Sequence, residues 1–206
     1  MSTRNEIIER CRASISRRYE RPSLHDLRPT RYDDILLTFV AQAEAAGCHV
    51  EIAKSPEEID GIIAKVYPDA KVIASNLSEV KCATLNPDTV KDAQALNGTD
   101  VGVIRAMLGV AENGSVWIPQ KMRERDVCFI SENIVAVMPK KEIVNNMHEA
   151  YALITSPKFG YDDFQSYGYG VFMAGPSKTA DIAQVLVRGA QAARSMTLIL
   201  MEEQIR

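Results

Sequence analysis

The sequence is short of the residues that usually give a reaction away. Its 206 residues include three histidines, one tryptophan and four cysteines. The cysteines (Cys11, Cys48, Cys82, Cys128) lie more than thirty residues apart and form no C-x-x-C pair. Local spacing therefore gives neither a zinc knuckle nor an iron–sulfur run, and the plain expectation is reduced, buried thiols. His25, His49 and His148 are scattered, so a histidine-based metal site would need three distant segments to converge; none is expected. A G-x-S-x-G elbow, an H-E-x-x-H helix and a Rossmann G-x-G-x-x-G are all missing, which removes the commonest hydrolase, zinc-protease and dinucleotide readings.

Long apolar runs are missing as well. No stretch approaches the roughly 18 to 20 apolar residues that span a bilayer, and the start MSTRNEIIERCRAS has no apolar core of a signal peptide. A cytoplasmic protein without a membrane partner is expected. The chain has 24 Lys and Arg against 27 Asp and Glu, a net charge of -3, and an isoelectric point near 5.7. It thus lacks the broad basic field that a nucleic-acid partner would require. Arg10, Arg12, Arg17, Arg18 and Arg21 form a local basic run, but Glu6, Glu9 and Glu20 interleave with it, and it reads as a solvated helix face.

What is present is an ordinary globular composition, 46% hydrophobic and 25% charged. A chain of this length organises one core and buries about 70% of its unfolded surface. Residues 3–19 have a helical period, with Ile7, Ile8, Cys11 and Ile15 on one stripe. The Pro/Arg-rich stretch 21–29 breaks it and reads as a linker or an arm; such arms often touch a partner subunit, which leaves a homo-oligomer open. This divides the chain into an N-terminal helix and arm, 1–31, and a domain, 32–206.

Within the domain, 32–47 reads as a helix opened by Asp33 and Asp34 and ended by Gly47. His49–Ala53 reads as a strand, Ser55-Pro56-Glu57-Glu58 as a helix start running to Val66, and Lys71–Ala74 as a second strand. Asp100–Ile104, Leu108–Ala111, Val116–Ile118, Val127–Ile130 and Ile134–Met138 all read as strands. A largely helical 140–154, a surface loop over 155–169, and buried strands at Val171–Ala174 and Thr197–Met201 complete an α/β pattern.

Two constellations carry candidate chemistry. Ala111-Glu112-Asn113-Gly114-Ser115 joins two strand-like runs, and Asn-Gly is a strong tight-turn signal. It holds an acid and a hydroxyl in one short connection. Gly175-Pro176-Ser177-Lys178-Thr179-Ala180-Asp181-Ile182 follows an apolar run and reads as a turn into a helix start, where unpaired backbone N–H groups and Lys178 favour an anion. Simple N-capping by Ser177 or Thr179 explains the same residues. The G-x-x-x-x-G-K-[ST] spacing of a Walker loop is absent. Tyr161, Tyr167, Tyr169 and Phe164, with Asp162 and Asp163, make an aromatic, acidic loop suited to a pocket lid or a plain surface.

At these two constellations the sequence resembles the LUD-domain proteins of the lactate-utilisation LutC/YkgG type. Their hallmarks are an A-E-T-G-T-like turn, a G-P-S-x-T-A-D-I-E strand end and a G-V-H-G-P-R-like segment. The third appears here as Gly189-Ala190-Gln191-Ala192-Ala193-Arg194, and the likeness runs over roughly 32–203. Ala183 stands where the family often has glutamate, Gln191 where it often has histidine, and Ala192-Ala193 replaces Gly-Pro. The resemblance implies a single-domain α/β/α sandwich similar to the NagB/RpiA/CoA-transferase-like group, with ligands at loops on strand ends.

It further implies an accessory role in oxidising L-lactate to pyruvate, beside iron–sulfur partner proteins, with no cofactor in this chain itself. A small anionic ligand would meet Asn113, Gly114, Ser115, Gly175, Ser177, Lys178, Thr179, Asp181 and Arg194. The alternative is an enzyme acting on a sugar phosphate or acyl-CoA. Glu112 would then be the catalytic acid/base or nucleophile, Lys178 the anion holder and Asp181 the orienting group.

Overall fold

The computed structural model describes residues 3–17, 19–20, 23, 27–156, 169–180, 184–191 and 193–202. The sequence expectations at Asp181, Ala183 and Ala192, and over most of 155–169, lie outside these residues.

Helix α1 (Thr3–Ala13) places Glu6 in its first turn and Arg10 and Arg12 in its last, which suits the helix dipole. None of its residues is buried, so it is not a core element. It stops short of the expected residue 19 because Ser14 turns back, its hydroxyl donating to the Cys11 carbonyl at 2.9 Å.

Helix α2 (Ile35–Ala45) starts where the Asp34 carboxylate accepts the Leu37 N–H at 2.9 Å. It buries Phe39 and Ala43, four residues apart on one face. Gly47, at φ +94, ends it and feeds β1 (Cys48–Ala53). A short 3-10 turn opened by Pro56 leads into α3 (Ile59–Val66), whose Ile59 and Ile63 again stack at a four-residue step.

The remaining elements are β2 (Ile73–Ala74), β3 (Val101–Arg105), β4 (Leu108–Val110), β5 (Ser115–Pro119), α4 (Val127–Ile130), β6 (Asn133–Pro139), β7 (Ile143–Val144), α5 (Met147–Ile154), β8 (Gly170–Met173), β9 (Lys178–Thr179), β10 (Val187–Arg188) and β11 (Ser195–Met201).

Five strands form an all-parallel sheet in the order β1-β11-β6-β3-β2. Its centre is the β6–β11 pair, in register from Asn133↔Ser195 to Pro139↔Met201. Both strands are apolar on successive residues because both faces of a parallel sheet are covered. On one face, Val101, Val103, Val135, Val137 and Ile199 pack with Ile59 and Ile63 of α3. On the other, Ile104, Ile134, Ala136, Met138, Leu198 and Leu200 pack with Phe39 and Ala43 of α2 and with Val116 and Ile118 of β5. The chain is therefore an α/β sandwich around a parallel sheet, as expected.

A second sheet, β7-β4-β5-β8, covers part of the α2 face and was not foreseen as a separate layer. Its outer side buries Leu108, Val110 and Trp117 against Ala150 and Ile154 of α5.

Three elements differ from expectation. Val127–Ile130 is the short helix α4, its turn closed by the Phe129 and Ile130 N–H groups on the Asp126 carbonyl. A four-residue apolar run carries no period that separates strand from helix. The segment 140–154 is a 3-10 turn, then β7, then α5, because Asn145 and Asn146 interrupt it. Strand β8 is half-buried along its whole length rather than buried.

Two measurements check this architecture. Phe39 has no exposed surface, so Phe39→Ala is expected to cost about 3–5 kcal/mol in urea unfolding. Wild-type stability would mean that α2 does not seal the sheet. Asp100 accepts the backbone N–H groups of Lys71 and Val72 at 2.7 and 2.8 Å, tying the approach to β2 onto β3. The Val72 N–H above all, then that of Lys71, holds its carboxyl below the usual range. The folded pKa is the lower one. The stabilisation is therefore complete above the unfolded carboxylate pKa of about 4 and is lost as pH falls through the folded value. Asp100→Asn should flatten the acid limb of the stability profile; an unchanged limb contradicts this assignment.

Candidate functional site

The first constellation folds as a self-bonded turn. Gly114 sits at φ +67 and returns its N–H to the Val110 carbonyl at 2.9 Å. The Asn113 side-chain oxygen accepts from the Ser115 N–H at 3.0 Å and from its hydroxyl at 2.7 Å. Asn113 and Ser115 thus satisfy each other. A Cβ on Gly114 would lie 2.4 Å from the Ala43 nitrogen, so the turn rests directly on the backbone of α2.

Glu112 points elsewhere. Its carboxylate accepts the Met147 N–H at 2.9 Å, at the first turn of α5. That end is completed by Asn146, whose side chain accepts the Glu149 N–H at 3.0 Å, while Glu149 accepts the Asn145 N–H at 2.9 Å. These two asparagines also hold the end of the arm: Asn145 accepts the Tyr32 N–H and Asn146 donates to the Thr30 carbonyl, both at 2.9 Å. Sequence reading passed over Asn145 and Asn146. The readable signal was Asn146-x-x-Glu149, a helix-start pattern inside a segment taken as already helical.

The second constellation arrives beside the first because β8 pairs antiparallel with β5, from Val116↔Met173 to Pro119↔Gly170. Gly175, at φ +76, would drive a Cβ to within 2.3 Å of the Ala46 carbonyl oxygen. The Lys178 ammonium donates to that same carbonyl. The expected helix start is not present at Lys178 and Thr179, which form β9 and pair with β10 as Lys178↔Arg188 and Thr179↔Val187. The Ser177 N–H, taken as free for an anion, donates to the Ala193 carbonyl at 3.0 Å. Ala193, just before β11, thus takes the Ser177 N–H, and no free helix mouth is left at Ser177.

Both constellations therefore close on one feature, the C-terminal turn of α2. Glu112 and Lys178 bond to different helices. Arg188, absent from the sequence candidates, brings its guanidinium to 3.6 Å from the Cβ position of Gly47, beside Pro176. Cys48 lies beneath: burial pushes its thiol up to about 11, against the opposing pull of the Gly175 backbone and the Lys178 charge. Arg194 forms an exposed ion pair with Glu132 at 2.7 Å.

A cavity of about 280 Å³ opens alongside, lined by Ile134, Val171, Met173, Gly175, Ser177 and Met196 among others. Ile134 and Met196 are the second residues of β6 and β11. The site thus lies where the parallel strands begin. The usual ligand position in open α/β sheets is at their carboxyl ends, so the expected match to that rule does not hold here. Among the described residues, no group of three or more His, Cys, Asp or Glu side chains is set to hold a metal. No helix among them is long and apolar enough to cross a membrane.

Comparison with known proteins gives a consistent answer. The family model for the LUD domain matches residues 36–201. Lactate utilization protein C 1 of Bacillus mycoides (strain KBAB4) is 26% identical over 118 residues, covering 57% of this chain and 50% of that protein. Lactate utilization protein C of Oceanobacillus iheyensis is 27% identical over 104 residues, covering 50% of this chain and 44% of that protein. The chain matches about half the length of these curated relatives. Among solved structures, a DUF162 family protein from Deinococcus radiodurans superposes with a TM-score of 0.63 at 14% identity, over 84% of this chain and 99% of that one. At that identity the likeness is one of fold.

The turn geometry makes a paired prediction. Gly114→Ala forces both a positive φ and a clash with α2, and should cost roughly 1–3 kcal/mol or more. Glu112→Ala removes one acceptor at the start of α5 and should cost about 1 kcal/mol. Urea midpoints in the reverse order would overturn the assignment of Glu112 to helix capping.

Proposed function

The chain belongs to the LUD-domain family, and on that premise we propose that it is an accessory component of a system that oxidises L-lactate to pyruvate. The observation that carries this reading is the family match across 36–201, joined to two relatives that bear the name lactate utilization protein C. The oxidation removes two electrons and two protons from the substrate. In this reading the electrons pass to iron–sulfur partner proteins, and this chain binds a small anion or docks the redox partner.

The ribbon that ends the second constellation supports the anion-binding part. Lys178 and Arg188 stand directly opposite each other across β9 and β10. Like charges in that position destabilise a strand pair unless something of opposite sign lies close. The Ala46 carbonyl at the end of α2 answers part of the charge through Lys178. An ammonium carries three donors, so Lys178 keeps others for a ligand, and the Arg188 guanidinium forms no ion pair with another described residue. Ser177 and Gly175 line the adjoining cavity, giving the same ligand an apolar wall.

The test is genetic first. A strain lacking this chain is expected to lose growth on L-lactate as sole carbon source while growing normally on glucose, with the wild-type chain restoring growth. Undiminished growth on L-lactate rejects the proposal. In the restored strain, Lys178→Ala combined with Arg188→Ala should reduce growth on L-lactate; full growth would remove the ribbon from the function.

A further inference from the structure

The parallel sheet protects one of its two edges and leaves the other open. At the protected edge, β2 is only two residues long, and Leu85 bridges to Ala74 on its outer side. At the open edge, β1 offers six residues, Cys48–Ala53, and pairs on one side with β11. Among the described residues, the only backbone bond to β1 from outside that pairing comes from Glu202, directly after β11, to the Ala53 carbonyl. A strand with unpaired N–H and C=O groups along such a length is a template for another strand, and proteins usually blunt it with proline, lysine or a bulge. The sequence of β1 holds neither proline nor lysine, and its register with β11 runs unbroken from Cys48↔Met196 to Ala53↔Met201.

The side chains of β1 divide between the two faces of the sheet. Cys48, Val50 and Ile52 lie on the α2 face, where Cys48 and Val50 join the core with Phe39. Ile52, next on that face, is 50% exposed. His49, Glu51 and Ala53 lie on the α3 face, where Ala53 joins the core. His49 Nε2 and Lys65 Nζ both meet Oε1 of Glu51, at 3.0 and 2.9 Å, and neither takes Oε2. Helix α2 adds an apolar flank: Glu44 is its one charged residue, and Leu37 is 67% exposed. Leu37 stands about 140° round the helix from Gln42, which meets the Gly114 turn, so it faces away from the second sheet.

We propose that β1 is the edge through which this protein pairs with a second copy of itself, the two β1 strands running antiparallel about a two-fold axis at Val50 and joining two parallel sheets into one. Directly opposite residues of an antiparallel pair share a face, so under two-fold symmetry one residue of β1 has to meet its own copy. Centring on Val50 or on Glu51 pairs five residues of the strand, and any other centre pairs three or fewer. Centring on Glu51 would set that carboxylate against its own copy, which is destabilising. Centring on Val50 instead sets His49 opposite the second copy's Glu51, and Glu51 opposite its His49. An imidazole and a carboxylate so placed hydrogen-bond when the ring is neutral and attract when it is protonated. On the other face Val50 meets Val50 and Ile52 meets Cys48, which covers the half-exposed isoleucine. Charge therefore selects one register among those the backbone permits, and the pairing involves neither Lys178 nor Arg188.

The experiment is sedimentation equilibrium of the full chain, in reducing buffer because Cys11 is exposed. The expected mass at micromolar concentration is twice the 22.8 kDa of one chain. His49→Glu sets carboxylate against carboxylate at both ends of the paired segment and should weaken dimerisation about tenfold or more. Adding Glu51→Lys to that variant restores opposite charges in the same register and should return the dimer. Ile52→Lys places a lysine on the edge and should weaken the dimer as well. Ile7→Lys combined with Ile15→Lys, both exposed in the N-terminal segment, should leave it intact. A monomer at concentrations up to roughly 100 µM overturns the proposal. So does a dimer unmoved by His49→Glu or by Ile52→Lys, or one lost in His49→Glu and not regained in the double variant. If His49→Glu does not fold, Ile52→Lys decides alone. Dissociation by the Ile7 and Ile15 substitutions would assign the contact to the N-terminal segment and reject this one.

Discussion

Helix α2 can lie against both sheets because two glycines leave room for its last turns. Gly114 and Gly175, each in left-handed backbone, touch the helix where a side chain would collide with Ala43 or with the Ala46 carbonyl. Phe39, one turn earlier on the same face, then reaches Gly109 and packs with Met138 in the core on the α2 face of the parallel sheet. The second sheet depends on the same contact, since β5 begins at the Gly114 turn and β8 ends just before Gly175. Positive φ and the absence of Cβ are needed together at these positions, so the glycines are requirements of packing before they are features of any site.

That constraint changes how the neighbouring polar residues are understood. Asn113 and Ser115 close the turn, Glu112 holds the start of α5, and Lys178 answers the carbonyl end of α2. Residues with the appearance of an acid, a hydroxyl and an anion-binding lysine have structural partners within the fold. Arg188 stands on the ribbon directly opposite Lys178.

Much of the fold was legible because it is written in local periods. The alternating and continuous apolar runs of β1, β3, β6 and β11, the Asp34 start of α2 and the Pro56 turn that leads into α3 all stand where pattern reading placed them. Legibility failed where a run was too short to carry a period, as at Val127–Ile130, or where a cap lay inside a segment already assigned, as at Asn145 and Asn146. The helix start expected at Lys178 failed for a different reason. Its N–H groups and those of Ser177 find acceptors in residues 187–193, which are distant along the chain and cannot be paired by inspection.

By itself the sequence determined the class of the protein: one α/β core, the two glycine turns, and the family to which they belong. These follow from residue type and spacing, because φ preferences, caps and apolar periods act over a few residues. Only the tertiary structure decided what the turns press against, which carboxylate caps which helix, and that the motifs lie where the parallel strands begin. It alone also paired Arg105 at the end of β3 with Glu79 and, among the described residues, left the Arg105 Nη1 without an acceptor. Those outcomes depend on contacts between segments far apart in the chain, and which polar group is left unsatisfied is known only when every competing partner has been placed.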